Sequence, residues 1–210
     1  KCRCLITDDH TIVRRGVREL LEEEQLCSER CEARTGEEAL AAVRRQPWDL
    51  MSLDIALPDK HGLEVLKETK LLQPSLPVLM LSLYPEKEFA MRAIKAGASG
   101  YLTKQSAPSE LLAAVMLVLQ GGRYITAALA EQMASVIETG VDGSLHARLS
   151  DRELQVLRSL GQGNSVSVIA EELRLSVKTI STYRARILEK LSCESTGELI
   201  RYAIEARLID

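Results

Sequence analysis

Aromatic side chains are scarce in this chain, at 3% of 210 residues with a single Trp and a single Phe. The core therefore has to be built from Leu, Ile, Val and Ala, which suits helices and buried parallel strands. Long apolar runs are also missing: no stretch approaches the ~18 uncharged residues of a membrane span. The first apolar run is broken by Asp8 and Asp9 and followed by Arg14 and Arg15, unlike a secretory leader. The expected location is the cytoplasm, with no membrane partner. An excess of positive charge is lacking, since the net charge is −3 and the pI about 5.8, so bulk charge does not announce a nucleic-acid partner. There is no Gly-rich phosphate loop after the first apolar run, where Asp8-Asp9-His10 stands instead, which argues against a flavin or nucleotide site. The five cysteines, at 2, 4, 27, 31 and 193, lack zinc spacing and read as small buried hydrophobes in a reducing compartment. What is present is ordinary for a globular chain: 46% hydrophobic residues and room for one large or two small domains.

The first part alternates period-2 and helical patterns. Strands are expected at 2–7, 28–33 (an edge, by its poor composition), 49–54, 78–82 and 100–103. Helices are expected at 11–24, 37–45, 62–72, 86–95 and 108–119, with Pro47, Pro74 and Gly97 as stops. This alternation predicts an α/β fold, a doubly wound five-stranded parallel sheet. Ligands of such sheets sit beyond the carboxyl ends of the strands. Asp8, Asp9, Asp54, Ser82 and Lys104 all fall at such ends. An acid there can simply cap the next helix, but polar groups converging from four strand ends point to one site. Clustered carboxylates repel one another, and a hard divalent cation such as Mg2+ relieves this while accepting phosphate oxygens. One carboxylate can then attack a phosphoryl group to give an acyl phosphate, with Lys104 stabilising the oxygens and the Ser82 hydroxyl placed to bond them.

Asp8-Asp9, Asp54 with Leu57-Pro58 and Gly62, Ser82, and Gly100-Tyr101-Leu102-Thr103-Lys104 together resemble the receiver domain of two-component response regulators, over residues 1–122. The resemblance implies a flavodoxin-like receiver with Asp54 as phosphoacceptor and Mg2+ held by Asp9, Asp54 and the backbone carbonyl of Ala56. Asp8 would act through water, Lys104 would bind the phosphoryl group, and Ser82 and Tyr101 would form a switch pair. Leu83 departs from the family, where a small residue often follows the switch hydroxyl; a bulky side chain over the site is expected to slow access.

Residues 123–146 read as a linker with an embedded helix at 127–138 and a flexible end at Gly140, Asp142, Gly143 and Ser144. From Leu149 the pattern is all-helical. Ser150-Asp151-Arg152-Glu153 is a capping box, its helix ending near Gly161 and Gly163. A helix at 166–173, a turn Arg174-Leu175-Ser176 and a helix at 177–191 form a helix-turn-helix candidate. On the last of these Val177, Ile180, Tyr183, Ile187 and Leu191 form the expected buried stripe. Lys178, Arg184, Arg186 and Lys190 stand against Glu189 alone, so this helix is basic within an acidic chain. A basic, hydroxyl-bearing face suits phosphates and base edges in a major groove.

Leu149-Ser150-x-Arg152-Glu153-x-x-Val156-Leu157 and Ile169-Ala170-x-x-Leu173-x-Leu175-Ser176-x-x-Thr179-Ile180, then Ile187, Lys190 and Leu191, resemble the DNA-binding domain of NarL/LuxR-type regulators (NarL/FixJ family), over residues 147–210. The resemblance implies a small all-α domain, a fourth helix at 195–206, double-stranded DNA as ligand, and contacts through Lys178, Thr179, Ser181, Thr182, Ala185, Arg186 and Lys190. Val166, Ser167 and Val168 stand where the family has Asn, a polar residue and Glu, so the Ser165 cap is expected to be incomplete. Ser181 and Tyr183 replace a frequent Lys and His, so no operator sequence carries over.

The combined expectation is a response regulator, not an enzyme beyond self-phosphorylation and autodephosphorylation. A sensor histidine kinase would phosphorylate Asp54, shifting dimerisation and DNA binding, with RNA polymerase a possible further partner. Two rivals are weaker on the residues. A phosphotransferase commonly needs a second acid two residues after its nucleophile, and Ala56 stands there. A phosphorylation-independent DNA binder has no use for an intact Asp8, Asp9, Asp54, Ser82 and Lys104.

Overall fold

The computed structural model describes residues 2–139 and 145–209. Gly140, Asp142, Gly143 and Ser144, the expected flexible end of the linker, lie outside the described residues. Two compact units divide the chain, 1–135 and 136–210.

The first unit is a five-stranded parallel sheet in the order β2-β1-β3-β4-β5. Its strands are β1 (Arg3–Thr7), β2 (Glu29–Ala33), β3 (Leu50–Asp54), β4 (Val78–Ser82) and β5 (Gly100–Thr103). β3 and β4 are buried along their whole length, the reading their continuous apolar runs gave, and β2 is the exposed edge. The helices are α1 (Thr11–Glu23), α2 (Gly36–Arg45), α3 (Gly62–Leu72), α4 (Glu86–Lys95) and α5 (Pro108–Leu119). The strand order reverses between β1 and β3, which puts Asp8 and Asp54 on either side of the crevice.

Gly62 is required where it stands. A Cβ there would come 2.1 Å from the Asp54 carbonyl oxygen, so the loop can fold back onto β3 only with glycine. Asp59 braces the start of α2, accepting from the backbone N–H groups of Gly36 (2.8 Å) and Glu37 (2.9 Å). Trp48 is buried between α2 and β3 and donates its indole N–H to the Ala42 carbonyl at 3.1 Å.

Two expectations change. The receiver-like unit does not stop at Gly121-Gly122: Tyr124 bridges to Gly100, its N–H donates to the Ser99 carbonyl at 2.8 Å, and Thr126 donates to Glu86 at 2.6 Å. Leu129, on α6 (Ala127–Thr139), is buried. The stretch read as linker therefore begins as part of this unit. The cysteines are also more than separate small hydrophobes. Cys2 and Cys27 place their sulfurs 2.7 Å apart, and hydrogen bonding from Cys4, with a further contribution from Cys2, lowers the Cys27 thiol to about 7 against the opposing effect of burial.

The second unit holds a 3-10 turn (Leu145–Arg148), α7 (Asp151–Gly161), α8 (Val166–Glu172), α9 (Val177–Leu191) and α10 (Thr196–Glu205). The capping box of α7 is complete. At α8 only half a box forms: Ser165 accepts from the Val168 N–H at 3.3 Å, and Val168 has no carboxylate to reach back. In α9, Ile180, Ile187 and Leu191 are buried, whereas Val177 is 50% exposed and Tyr183 half-buried. Val177 is the first residue of the helix, directly after the tight turn. No helix among the described residues is long and apolar enough to cross a membrane.

Candidate functional site

The carboxyl ends of β1, β3 and β5 deliver one acidic cluster around one ammonium. Asp54 ends β3 and is 1% exposed. Lys104 follows β5, and its Nζ lies 2.7 Å from Asp54 Oδ2 and 2.7 Å from Asp8 Oδ2. The Lys104 N–H donates to the Ser82 carbonyl at 2.7 Å, fixing the ends of β4 and β5 together. Burial raises the Asp54 carboxyl above its ordinary value, and nearby Asp8 adds to this, while Lys104 opposes it. For Lys104 burial acts downward, but Asp54 and Asp8 outweigh it and raise the ammonium, which stays charged.

Asp8, Asp9, His10 and Asp54 each offer one ligand atom, and these atoms all lie within 4.8 Å of one another. Asp54 Oδ1 makes no hydrogen bond despite its burial. Hard oxygen donors, one of them unbonded and buried, fit a divalent cation such as Mg2+. Ala56 lies in the loop after β3, paired in a single bridge with His61.

Sequence reasoning missed two contributors. Arg14, on α1, is fully buried; its Nη1 donates to the carbonyls of Asp8 (2.8 Å) and Asp9 (3.2 Å), and its Nε donates to Glu32 at 2.9 Å. It holds the acidic turn from behind. The only signal available was a charged residue between Val13 and Val17 on the apolar side of α1. His10 is the other, with Nδ1 2.7 Å from Asp9 Oδ1 and 3.2 Å from Asp8 Oδ1.

Ser82 and Tyr101 share a joint. Ser82 Oγ accepts from the Tyr84 N–H at 3.0 Å, and the Tyr101 hydroxyl donates to the Tyr84 carbonyl at 2.8 Å. The Tyr101 ring is buried. Leu83, expected over the site, is 58% exposed and turned largely to solvent.

In the second unit Lys178, Thr182, Ala185 and Arg186 lie exposed on α9, and Lys178, Thr179, Thr182, Tyr183 and Arg186 line a shallow depression. Thr179 and Ser181 are half-buried, and Thr179 shares a 2.8 Å hydroxyl contact with Ser176. Lys190 is placed differently from the others: its ammonium donates to Glu153 Oε2 at 2.6 Å, joining α9 to the capping box of α7. That carboxylate also serves the Ser150 N–H at 2.7 Å, so Lys190 is tied to the start of α7 although its side chain is 39% exposed.

A sheet with acids and a lysine at its strand ends, joined in one chain to a helix-turn-helix unit, defines a two-component response regulator with a DNA-binding output domain. The chain belongs to that family, the NarL/FixJ type: the response regulator receiver domain matches residues 4–116 and the luxR family of bacterial regulatory proteins matches residues 147–203. It is 37% identical to the response regulator UvrY of Escherichia coli (strain K12) over 201 residues, 95% of this chain and 92% of that one. It is 34% identical to the response regulator GacA of Pseudomonas viridiflava, over 99% of this chain and 98% of that one. Among solved structures it resembles RcsB from Salmonella enterica serovar Typhimurium bound to promoter rprA with the phosphomimetic BeF3-, with TM-score 0.63, 27% identity and coverage of 96% and 98%. A LuxR-family response regulator from Aurantimonas sp. SI85-9A1 matches 64% of this chain and 96% of its own, with TM-score 0.59 and 32% identity.

Proposed function

We propose that Asp54 is the phosphoacceptor of a sensor histidine kinase and that its phosphorylation switches dimerisation and sequence-specific binding of double-stranded DNA, regulating transcription in the cytoplasm. The observation that carries this reading is the buried Asp54–Lys104–Asp8 cluster at the carboxyl ends of the sheet. One Asp54 oxygen attacks phosphorus, the bond to the donor nitrogen breaks, and the released imidazole takes up a proton. Lys104 is placed to hold a phosphoryl oxygen, and so is the Ser82 hydroxyl once it leaves the Tyr84 N–H. Asp9, Asp54 and the Ala56 carbonyl would hold Mg2+, with Asp8 acting through water; bound there, the ion would offset negative charge on the transferred group. The same machinery supports self-phosphorylation from small phosphodonors and autodephosphorylation.

The acyl phosphate adds charge and acceptor oxygens beside Ser82. Ser82 releases Tyr84, the Tyr101 contact to the same residue changes with it, and the neighbouring face shifts toward dimers. A dimer presents paired copies of α9 to paired half-sites. Lys178, Thr182, Ala185 and Arg186 take the groove and phosphates, with Thr179 and Ser181 beside them. Lys190 orients α9 through Glu153 more than it touches DNA. RNA polymerase is the natural next partner of a DNA-bound dimer.

The test is beryllofluoride or acetyl phosphate with Mg2+, followed by gel filtration and DNA binding, on the wild type and Asp54→Asn. The wild type should gain dimer and DNA affinity. Asp54→Asn should keep the fold and basal DNA binding and lose every donor-dependent change. A wild type that ignores the donor refutes the proposal.

A further inference from the structure

Within the cation site just proposed, and resting on that reading, we infer that His10 is an additional ligand, so that the site accepts imidazole-binding divalent ions such as Co2+ as well as Mg2+.

Three observations carry this. First, His10 belongs to the same cluster of ligand atoms as Asp8, Asp9 and Asp54. Second, its Nδ1 is 2.7 Å from Asp9 Oδ1 and 3.2 Å from Asp8 Oδ1. Neighbouring ligands on an octahedral ion with bonds of about 2.1 Å stand roughly 3 Å apart, so the Nδ1 that bonds these carboxylates directly already stands near the separation of ligands sharing one ion. Third, the ring contacts the cluster's own carboxylates, Asp8 and Asp9, and caps no helix. His10 is the N-cap residue of α1 and its side chain makes no capping bond. Asp54, buried and with Oδ1 unbonded, belongs to the same cluster.

The chemistry follows from ligand hardness. Mg2+ takes oxygen ligands and keeps its waters, so it gains little from an imidazole. Later first-row ions bind nitrogen well and rise in affinity along the series. Exchanging a water for His10 therefore raises Co2+ affinity more than Mg2+ affinity. The imidazole lies at the mouth of the site, with its side chain 51% exposed, so it can turn onto an incoming ion without repacking the core.

The experiment is calorimetric titration of the full chain with Co2+ alone and Mg2+ alone, on the wild type, His10→Ala and Asp54→Asn. It is joined to pulsed EPR of the Mn2+ complex, read for modulation from a directly bound imidazole nitrogen. The ratio of Co2+ to Mg2+ affinity should fall about tenfold or more in His10→Ala, and the nitrogen modulation of the wild type should vanish in that variant. An unchanged ratio with no nitrogen modulation overturns the inference. If Mg2+ then still binds the wild type and not Asp54→Asn, the cation-site reading survives it. Failure of any ion to bind the wild type overturns both.

Discussion

Replacing Arg14 by Met tests whether the acidic turn is held from behind by a buried guanidinium. Met keeps the apolar stem of the side chain and its packing, so the loss is mainly polar. Nη1 serves the carbonyls of both Asp8 and Asp9, and Nε serves Glu32. A hydrogen bond from a charged donor contributes about 1.5–3 kcal/mol. The two carbonyls share one nitrogen, so they count as little more than one such bond. Glu32 is about a third exposed and retains Arg18 at 3.1 Å, so that pair adds about 1 kcal/mol at most. The net loss is about 2–4 kcal/mol. With a urea slope of about 2 kcal/mol/M, the unfolding midpoint should drop by roughly 1–2 M. Trp48 is the single tryptophan and lies in the first unit, so its fluorescence reads that unit alone. Arg14→Lys should rescue poorly, because an ammonium cannot span these partners in the guanidinium's planar geometry. Mg2+ affinity should fall with stability, since the same backbone carries Asp8 and Asp9. A midpoint shift below about 0.5 M, or full rescue by Lys, would refute the reasoning.

Ser150→Ala removes the α7 cap and should cost about 1 kcal/mol, a drop of about 4–8 °C in the melting of the DNA-binding unit by circular dichroism. Glu153 is held below its ordinary value of 4.5 because Lys190 and Ser150 outweigh the opposing effect of burial. The stability it contributes is therefore present above pH 4.5 and lost as pH falls through its lowered value; in Glu153→Gln an acid titration of this unit should lose that drop. Gly62→Ala forces a Cβ against the Asp54 carbonyl and should cost several kcal/mol, seen as a large loss of midpoint in urea. Tyr101→Phe leaves the Tyr84 carbonyl without its donor and should shrink the donor-dependent gain in dimer by gel filtration, with Asp54 still labelled by acetyl phosphate.

The sheet and its site were legible for a physical reason. Continuous apolar runs such as Val78–Ser82, alternating with helical patterns, suit a parallel sheet covered on both faces, and polar residues at their carboxyl ends then face the crevice. Hence Lys104 meets Asp54 and Asp8 at the carboxyl ends of the strands, with Ser82 ending the strand between, and the bounds of α3, α4, α5 and α9 follow the sequence pattern as well. What was hidden depends on partners distant in the chain. Arg14 reads as a helix-surface charge until Glu32 and two carbonyls surround it. Lys190 reads as one more basic residue on α9 until Glu153 arrives from α7. Gly121-Gly122 reads as a boundary because the contact of Tyr124 with Ser99 and Gly100 has no local signature. Val177 fits the helical period yet, as the first residue of its helix, stays half exposed.

The placing of Tyr84 bears on how sharply the protein responds. Its N–H is held by Ser82 and its carbonyl by Tyr101, and Pro85 follows it. A residue before proline is biased toward extended conformations, so this peptide has less room to move between the two side chains. Loosening one contact is therefore expected to disturb the other, and Pro85 is also the N-cap of α4. The output of each molecule should therefore be all-or-none, with intermediate signal strengths read as the fraction of molecules converted and never as a half-turned tyrosine.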